Sequence, residues 1–453
     1  MKNRLNGITG SQGFKAGTLV ILTLVMLIPI SMVNSLIRER AWRAEEVKAD
    51  ISSAAGGELR FGGPVIKIPG TRRIEKVYIN SEGRKSSEYH NEDFSLWFTA
   101  DELDIDINLD TENKFRGIFY SPIFTGSLNL GGSFDLTDIY DGLEENEELL
   151  IQNAEIIIPF FNQKGIRRIA AAEWLDSEID IHPGSRDLPL ESGGIYSAIT
   201  VSEETVKKNS GLDFNFSILI RGAGRVSFLP LAASASARLN ADWPAPSFKG
   251  LSLPDSHDIT DDSFSAEWSC SSLSSGIPVK WDDTAVFDTY SLADSYIETD
   301  FINVLDHYKL NERAAKYAIL FILIPFITLF MFEQFFKRRL HIFQYILAGI
   351  ANIIFYLLLL SLSEHISFNL SYLISAAAVT VAICLYSWSI LGRDKKAWYI
   401  APVMTAVYIF LFMTLQSEDW ALLIGSIGVF VITVSLMFIT RKIDFYQSRQ
   451  NQK

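Results

Sequence analysis

Glu364 and His365 stand side by side in Leu360-Ser361-Leu362-Ser363-Glu364-His365-Ile366-Ser367-Phe368-Asn369-Leu370, between two long apolar runs. A carboxylate next to an imidazole suits proton sensing or ligand binding, because imidazole changes charge near neutral pH. The same residues also make a plain polar turn that caps a helix in headgroup water. Trp243 and Phe248 form a second candidate, flanking Pro244-Ala245-Pro246-Ser247. Each proline fixes its own φ and restrains the residue before it, so this segment is stiff. Aromatic rings beside prolines suit a groove for a peptide or glycan; the alternative is a loop locked onto a β-core. Glu333, near Arg338 and Arg339 at the end of an apolar run, reads as an interfacial ion-pair partner rather than a transport residue.

Little else carries recognisable chemistry. The chain has no His-Glu-x-x-His metal site, no Gly-x-Ser-x-Gly elbow, no P-loop and no Cys-x-x-Cys. His90, His182, His257 and His307 form no close-spaced ligand set. Gly7, Gly10 and Gly13 follow no strand and read as a tail, and Gly222-x-Gly224 reads as a turn between strands. No catalytic, cofactor-binding or metal-binding residue is therefore assigned, no cofactor is expected, and the chain is expected not to be an enzyme. Cys270 and Cys384 are the two cysteines. Cys384 lies in an apolar run and Cys270 in a polar region, so no disulfide between them is expected.

These candidates sit in a chain of two characters. Between Ile37 and Glu312 there are 47 Asp and Glu against 25 Lys and Arg, net −22; the rest carries 15 Lys and Arg against 6 Asp and Glu, net +9. Such an acidic region lacks the basic footprint that nucleic acid requires. The basic remainder holds six apolar runs, read as membrane spans at 14–36, 317–332, 342–362, 370–391, 399–415 and 421–440. The first reads as an uncleaved anchor, since no small-residue cleavage site follows it before Ile37-Arg38-Glu39-Arg40. Lys337-Arg338-Arg339, Arg393-Asp394-Lys395-Lys396 and Arg441-Lys442 fall at alternate ends of the spans, with Lys2 and Arg4. Ser363-Glu364-His365 and Gln416-Ser417-Glu418-Asp419 mark the other ends. By the positive-inside rule the tails 1–13 and 441–453 are cytoplasmic, and the region 37–312 is extracytoplasmic, periplasmic in a Gram-negative cell. No Asp, Glu, Lys or Arg lies mid-span, which weighs against a pump or channel. Pro29, Pro325 and Pro402 mark expected kinks, and Gly349, Gly425 and Gly428 expected close packing.

The region 37–312 reads as β-rich. A helix continues from the first span through Trp42 to about Ser53 and stops at Gly56-Gly57. Leu103, Ile105 and Ile107 then alternate with Asp104, Asp106 and Asn108; Phe214, Phe216, Ile218 and Ile220 line one face; and Phe264, Ala266, Trp268 and Cys270 line another. Many short strands predict a large sandwich-like all-β domain. A short helix is expected over Asp141–Glu148 and Leu149 to Ala154. The fold class is thus six transmembrane α-helices with a mainly β domain inserted between helices 1 and 2.

Four stretches carry a family resemblance. They are Arg60-Phe61-Gly62-Gly63-Pro64 with Ile68-Pro69; Phe115-Arg116-Gly117-Ile118-Phe119-Tyr120 with Gly132-Ser133-Phe134; Phe228-Leu229-Pro230-Leu231 with Trp243 to Gly250 and Leu253-Pro254; and Lys316-Tyr317-Ala318 through His341, Gln344-Tyr345, Tyr356 and Ser361 to Asn369. In these the chain resembles the CreD inner-membrane proteins, also called cell envelope integrity proteins. Gly70 and Ala232 depart from the family pattern. The resemblance implies a link to an envelope-stress two-component system, to β-lactam resistance and to colicin tolerance, and brings no catalytic residue set. The leading expectation is a non-enzymatic protein of envelope integrity and stress response in the bacterial inner membrane. Its partners would be the lipid bilayer and envelope proteins or peptidoglycan; oligomeric state is left open. A sensor or regulator binding an envelope ligand, and an envelope lipid or peptidoglycan enzyme built from dispersed carboxylates, are the alternatives.

Overall fold

Two-residue alternation of apolar and polar side chains governs the middle of the chain, and there the backbone runs as strand. The computed structural model describes residues 12–79, 85–190, 193–207, 211–285, 294–301, 307–336, 340–390, 398–417 and 420–440. Several charges that set the expected orientation lie outside the described residues: Lys2, Arg4, Lys337 to Arg339, Arg393 to Lys396, Glu418, Asp419, Arg441 and Lys442. So do Gly7 and Gly10. The chain divides into two compact units, Glu46–Val304 and Met1–Glu45 with Leu305–Lys453.

The first of these is mainly β. Val65–Ile79 pairs antiparallel with the 32-residue strand Lys85–Arg116, which turns at Gly117 into Phe119–Phe134. Lys85–Arg116 also pairs in parallel with Ala232–Ala241, so one long strand ties together a 14-stranded sheet. A four-stranded sheet holds Leu59–Gly62, Arg225–Leu229, Ile297–Phe301 and Pro246–Gly250 in that order. The two sheets share one core, in which Phe61, Phe228 and Phe301 of the smaller meet Phe124, Phe216 and Trp268 of the larger. The layers are thus unequal: a large mainly-β region with a small sheet against a large one.

The alternation sets the faces. Leu103, Ile105 and Ile107 are buried, as are Phe214, Phe216, Ile218 and Ile220, while Cys270 is only partly buried. Burial pushes the Cys270 thiol up, with the Ser252 hydroxyl 4.0 Å away.

The helix expected near Asp141–Ala154 does not form as such. Glu147–Leu149 is a strand against Gly70–Arg72, and Ile151–Asn153 is a single 3-10 turn. Glu147 meets Arg72 at 2.5 Å and the Leu150 N–H donates to the Pro69 carbonyl at 2.8 Å. Pairing with an existing strand satisfies backbone groups that a short isolated helix would leave marginal.

In the other unit, α1 (Gln12–Ala55, of which the part to Glu45 belongs here) is followed after the β-strands by α2 (His307–Lys316), α3 (Ala318–Phe336), α4 (Ile342–Ser363), α5 (Phe368–Ile390), α6 (Ile400–Gln416) and α7 (Ala421–Thr440). Among the described residues three helices, α1 from Gly17, α4 and α5, are long and apolar enough to cross a membrane; a fourth span arises if the bent pair α2 and α3 is one crossing. That pair bends by 48° at Tyr317, not at Pro325, which lies inside α3. Pro29 lies inside α1, and Pro402 falls in the first turn of α6, where its missing N–H costs no helical bond. A Cβ on Gly349 would come within 2.9 Å of Phe326 and 3.3 Å of Met26, so this glycine does admit close helix packing. Gly428 lies against Phe410, whereas Gly425 faces open space.

Candidate functional site

The turn between α4 and α5 separates its two titratable residues. Glu364 is the C-cap of α4, and the His365 and Ile366 N–H groups donate to the Leu362 carbonyl at 2.9 and 3.0 Å. With its backbone held there, the Glu364 side chain is 8 % exposed and accepts a hydrogen bond from the Tyr308 hydroxyl of α2 at 3.1 Å. Arg40 of α1 places its Nε 3.8 Å from the same carboxylate oxygen. His365 is exposed and makes no hydrogen bond or ion pair with Glu364. The adjacency in sequence is therefore not a pair in space: Glu364 belongs to the helix ends and His365 to the surface.

The surroundings of Glu364 are polar and ordered. Asn311 of α2 is buried and donates to the Ser363 hydroxyl at 2.9 Å and to the His307 carbonyl at 2.7 Å. Arg38 and Glu312 approach to 3.8 Å, and Arg313 reaches the Ser417 carbonyl at 3.4 Å. Chemically, this arrangement fixes α1, α2 and the α4–α5 turn to one another through a carboxylate that accepts from a neutral hydroxyl and faces a guanidinium.

Glu333 lies in a matching cluster that the sequence did not disclose. Lys15 of α1 contacts both its carboxylate oxygens at 2.5 and 2.6 Å, and the Tyr345 hydroxyl donates to it at 2.9 Å. The third Lys15 donor goes to the Leu340 carbonyl at 2.6 Å, and the ammonium sits 5.7 Å from the Tyr345 ring centre. The cation expected for Glu333 was Arg338 or Arg339, which lie outside the described residues; the observed one is Lys15. The signal available in sequence was a lone lysine one residue into the first apolar run, facing the lone acid at the end of the second.

Trp243 and Phe248 point into the β-core. Trp243 is buried with its ring edge-on to Phe301 at 6.2 Å. Phe248 is on the strand Pro246–Gly250 rather than in a loop, with Phe264 at 5.9 Å and Trp268 at 5.7 Å, both edge-on.

The shielded carboxylates of the β-unit are ion-paired: Glu147, with its side chain 6 % exposed, to Arg72, and Asp300 to Arg225 and Lys249. A surface hollow of about 350 Å³ brings together Asp104, Asp106, Arg238 and Glu267. A hydrogen bond from Arg238 at 2.8 Å, joined by one from Ser256, holds the Glu267 carboxyl below the usual range. Such pairing makes Glu267 a worse proton acceptor, the reverse of what a general acid or base needs. Among the described residues no group of three or more His, Cys, Asp or Glu is placed to hold a metal ion.

The family model described as "Inner membrane protein CreD" matches residues 11–446. The chain belongs to the CreD family. The Escherichia coli (strain K12) protein "Inner membrane protein CreD" is 30 % identical over 435 residues, covering 93 % of this chain and 91 % of that one. With its apolar helices and large β-region, this CreD-family chain is a membrane protein. Among solved structures, "Structure of yeast LTA4 hydrolase in complex with Bestatin" aligns with 46 % of this chain and 30 % of that one, at 9 % identity and a TM-score of 0.22. At that score nothing about fold or function follows.

Proposed function

We propose that this CreD-family chain is a non-enzymatic protein of envelope integrity and stress response in the bacterial inner membrane. In this reading it has six membrane-crossing helices, cytoplasmic termini, and a β-rich region inserted between the first two and held outside the cytoplasm. The observation that carries the non-enzymatic part is the interior of the β-unit, filled by aromatic and aliphatic side chains, with its shielded carboxylates Glu147 and Asp300 tied to Arg72, Arg225 and Lys249. Deleting the gene is expected to raise sensitivity to detergent or to β-lactams under envelope stress. Unchanged sensitivity in cells where the stress system is switched on counts against the role.

The Glu364 cluster favours a second reading, a sensor that passes an external event to the helices. Arg40 of α1, Tyr308 of α2 and Glu364 beyond α4 share one partly buried contact. Any signal reaching α1 or α2 would then be felt at the α4–α5 turn. A Glu364→Ala, His365→Gln double variant should alter a pH- or drug-dependent response; a wild-type response across that range sinks the reading.

A further inference from the structure

The helical unit has polar groups deep inside that neither end cluster uses. Helices α4, α5 and α6 contain no Asp, Glu, Lys or Arg. Yet Asn352, Tyr356, Tyr372, Ser375 and Tyr408 are all buried among them, around Phe321 and Phe355. Part of this set is self-satisfied. Tyr372 donates to the Tyr408 carbonyl at 2.7 Å, the Tyr408 hydroxyl reaches Asn352 at 3.4 Å, and Asn352 donates to the Ala348 carbonyl at 2.9 Å.

Two members have no hydrogen-bond partner among the described residues: the Tyr356 hydroxyl and the Ser375 Oγ, both fully shielded. Tyr356 lies ten residues before Ile366 and Ser375 nine after it. In two helices folded back at that turn both stand about 14–15 Å inward, at one depth. A hydroxyl buried in apolar surroundings without a hydrogen bond is destabilising, and in hydrocarbon water cannot offset that cost. Two such hydroxyls at one level, beside a third whose own bond is long, form a set of donors and acceptors that points to a common ligand.

The two sides of the set differ. Toward the turn it is continued by Ser363, Asn311 and Ser371, all buried. Away from the turn Ala348, Val379 and Ile383 are buried and apolar, and beyond them α5 carries the buried Ser387. The set is thus continuous with buried polar residues toward the Glu364 end and is separated by an apolar layer from Ser387 and from the Glu333 cluster at the other end. With no charge in the three helices, an ion would enter unpaired at high cost.

We propose that Asn352, Tyr356, Tyr372, Ser375 and Tyr408 form a binding site for a neutral hydrogen-bonding group, either water or the hydroxyl of an apolar guest. The test uses the full chain in detergent micelles. Tyr356→Phe and Ser375→Ala keep the ring and the backbone and remove only the oxygen. Each is expected to lower the thermal midpoint by about 2–4 °C, because a hydrogen bond is lost. Midpoints that stay or rise overturn the proposal, since deleting an unpartnered hydroxyl removes only its desolvation cost. Radiolytic hydroxyl labelling of the wild type separates the sources. Modification of the buried tyrosines Tyr356, Tyr372 and Tyr408 identifies water. No modification, with an alcohol recovered by solvent extraction from wild type and absent from Tyr356→Phe, identifies an apolar guest. The absence of both overturns the proposal.

Discussion

Asp300 shows how one side chain organises three strands. Its strand Ile297–Phe301 lies between Arg225–Leu229 and Pro246–Gly250, and its carboxylate takes Arg225 Nε at 2.5 Å and Lys249 Nζ at 2.6 Å. Burial pushes the Asp300 carboxyl up, but the bonds from Arg225 and Lys249 and their attraction outweigh it and hold it below the usual 3.8. The folded state thus binds this proton more weakly than the unfolded state does. Its contribution is complete above the unfolded value near 3.8 and is lost as pH falls through the lower folded value. Asp300→Asn should cost about 1.5–3 kcal/mol at neutral pH, the range for hydrogen bonds to charged groups. It should also flatten the acid limb of the stability curve below pH ~4, as measured by denaturant unfolding of the β-unit signal at several pH values. An acid limb as steep in the variant as in wild type would assign that limb to other carboxylates.

Whole elements are held by few contacts, and α1 is the clearest case. Lys15 meets Glu333 near its start and Arg40 approaches Glu364 further on, and in each cluster a tyrosine hydroxyl donates to the acid. The two basic residues are 25 positions apart, about 38 Å along a helix, which matches a membrane crossing with both interfaces. Removing one partner of the buried pair leaves the other charge without compensation. Glu333→Leu and Lys15→Met should each destabilise the helical unit by about 3–5 kcal/mol, and the double variant should recover most of the loss. Additive losses in a double-mutant cycle would show that the pair is not coupled. At its other end α1 stops at Gly56 (φ +111) and Gly57 (φ +77), with the Gly57 N–H on the Ser52 carbonyl at 2.7 Å. Gly57→Ala, in the left-handed region and against Asn162, should cost about 1–2 kcal/mol in thermal unfolding. This stop was legible in the sequence because Gly-Gly punctuates a helix locally, and the strand faces at Leu103 and Phe214 were legible from alternation alone. Lys15–Glu333 and the Asn352–Tyr408 layer were not, because their members lie far apart in sequence and only tertiary packing brings them together. Glu147–Leu149 misled for a related reason: an acidic run has helical composition, and the strand Gly70–Arg72 that captures it is remote.

At the scale of the whole molecule, charge and hydropathy together make a prediction about sidedness. The region from Ile37 to Glu312 carries net −22, while Lys337 to Arg339, Arg393 to Lys396 and Arg441-Lys442 put cations at alternate ends of the apolar runs. Short loops rich in Lys and Arg stay in the cytoplasm, and long acidic stretches are translocated with little regard to charge. Six crossings would then leave both termini inside, and an odd number of crossings would separate them. With Cys270→Ser and Cys384→Ser as background, a single Asp261→Cys should react with a membrane-impermeant maleimide in spheroplasts, since Asp261 is exposed. A single Ser448→Cys should react only after the membrane is opened. Reaction of both in intact spheroplasts would mean an odd number of crossings, and shielding of both would put the β-rich region in the cytoplasm. Shielding of both would also place the Glu364 turn, and with it the polar residues that continue the layer at Tyr356, on the cytoplasmic side if the two runs between that region and the turn both cross.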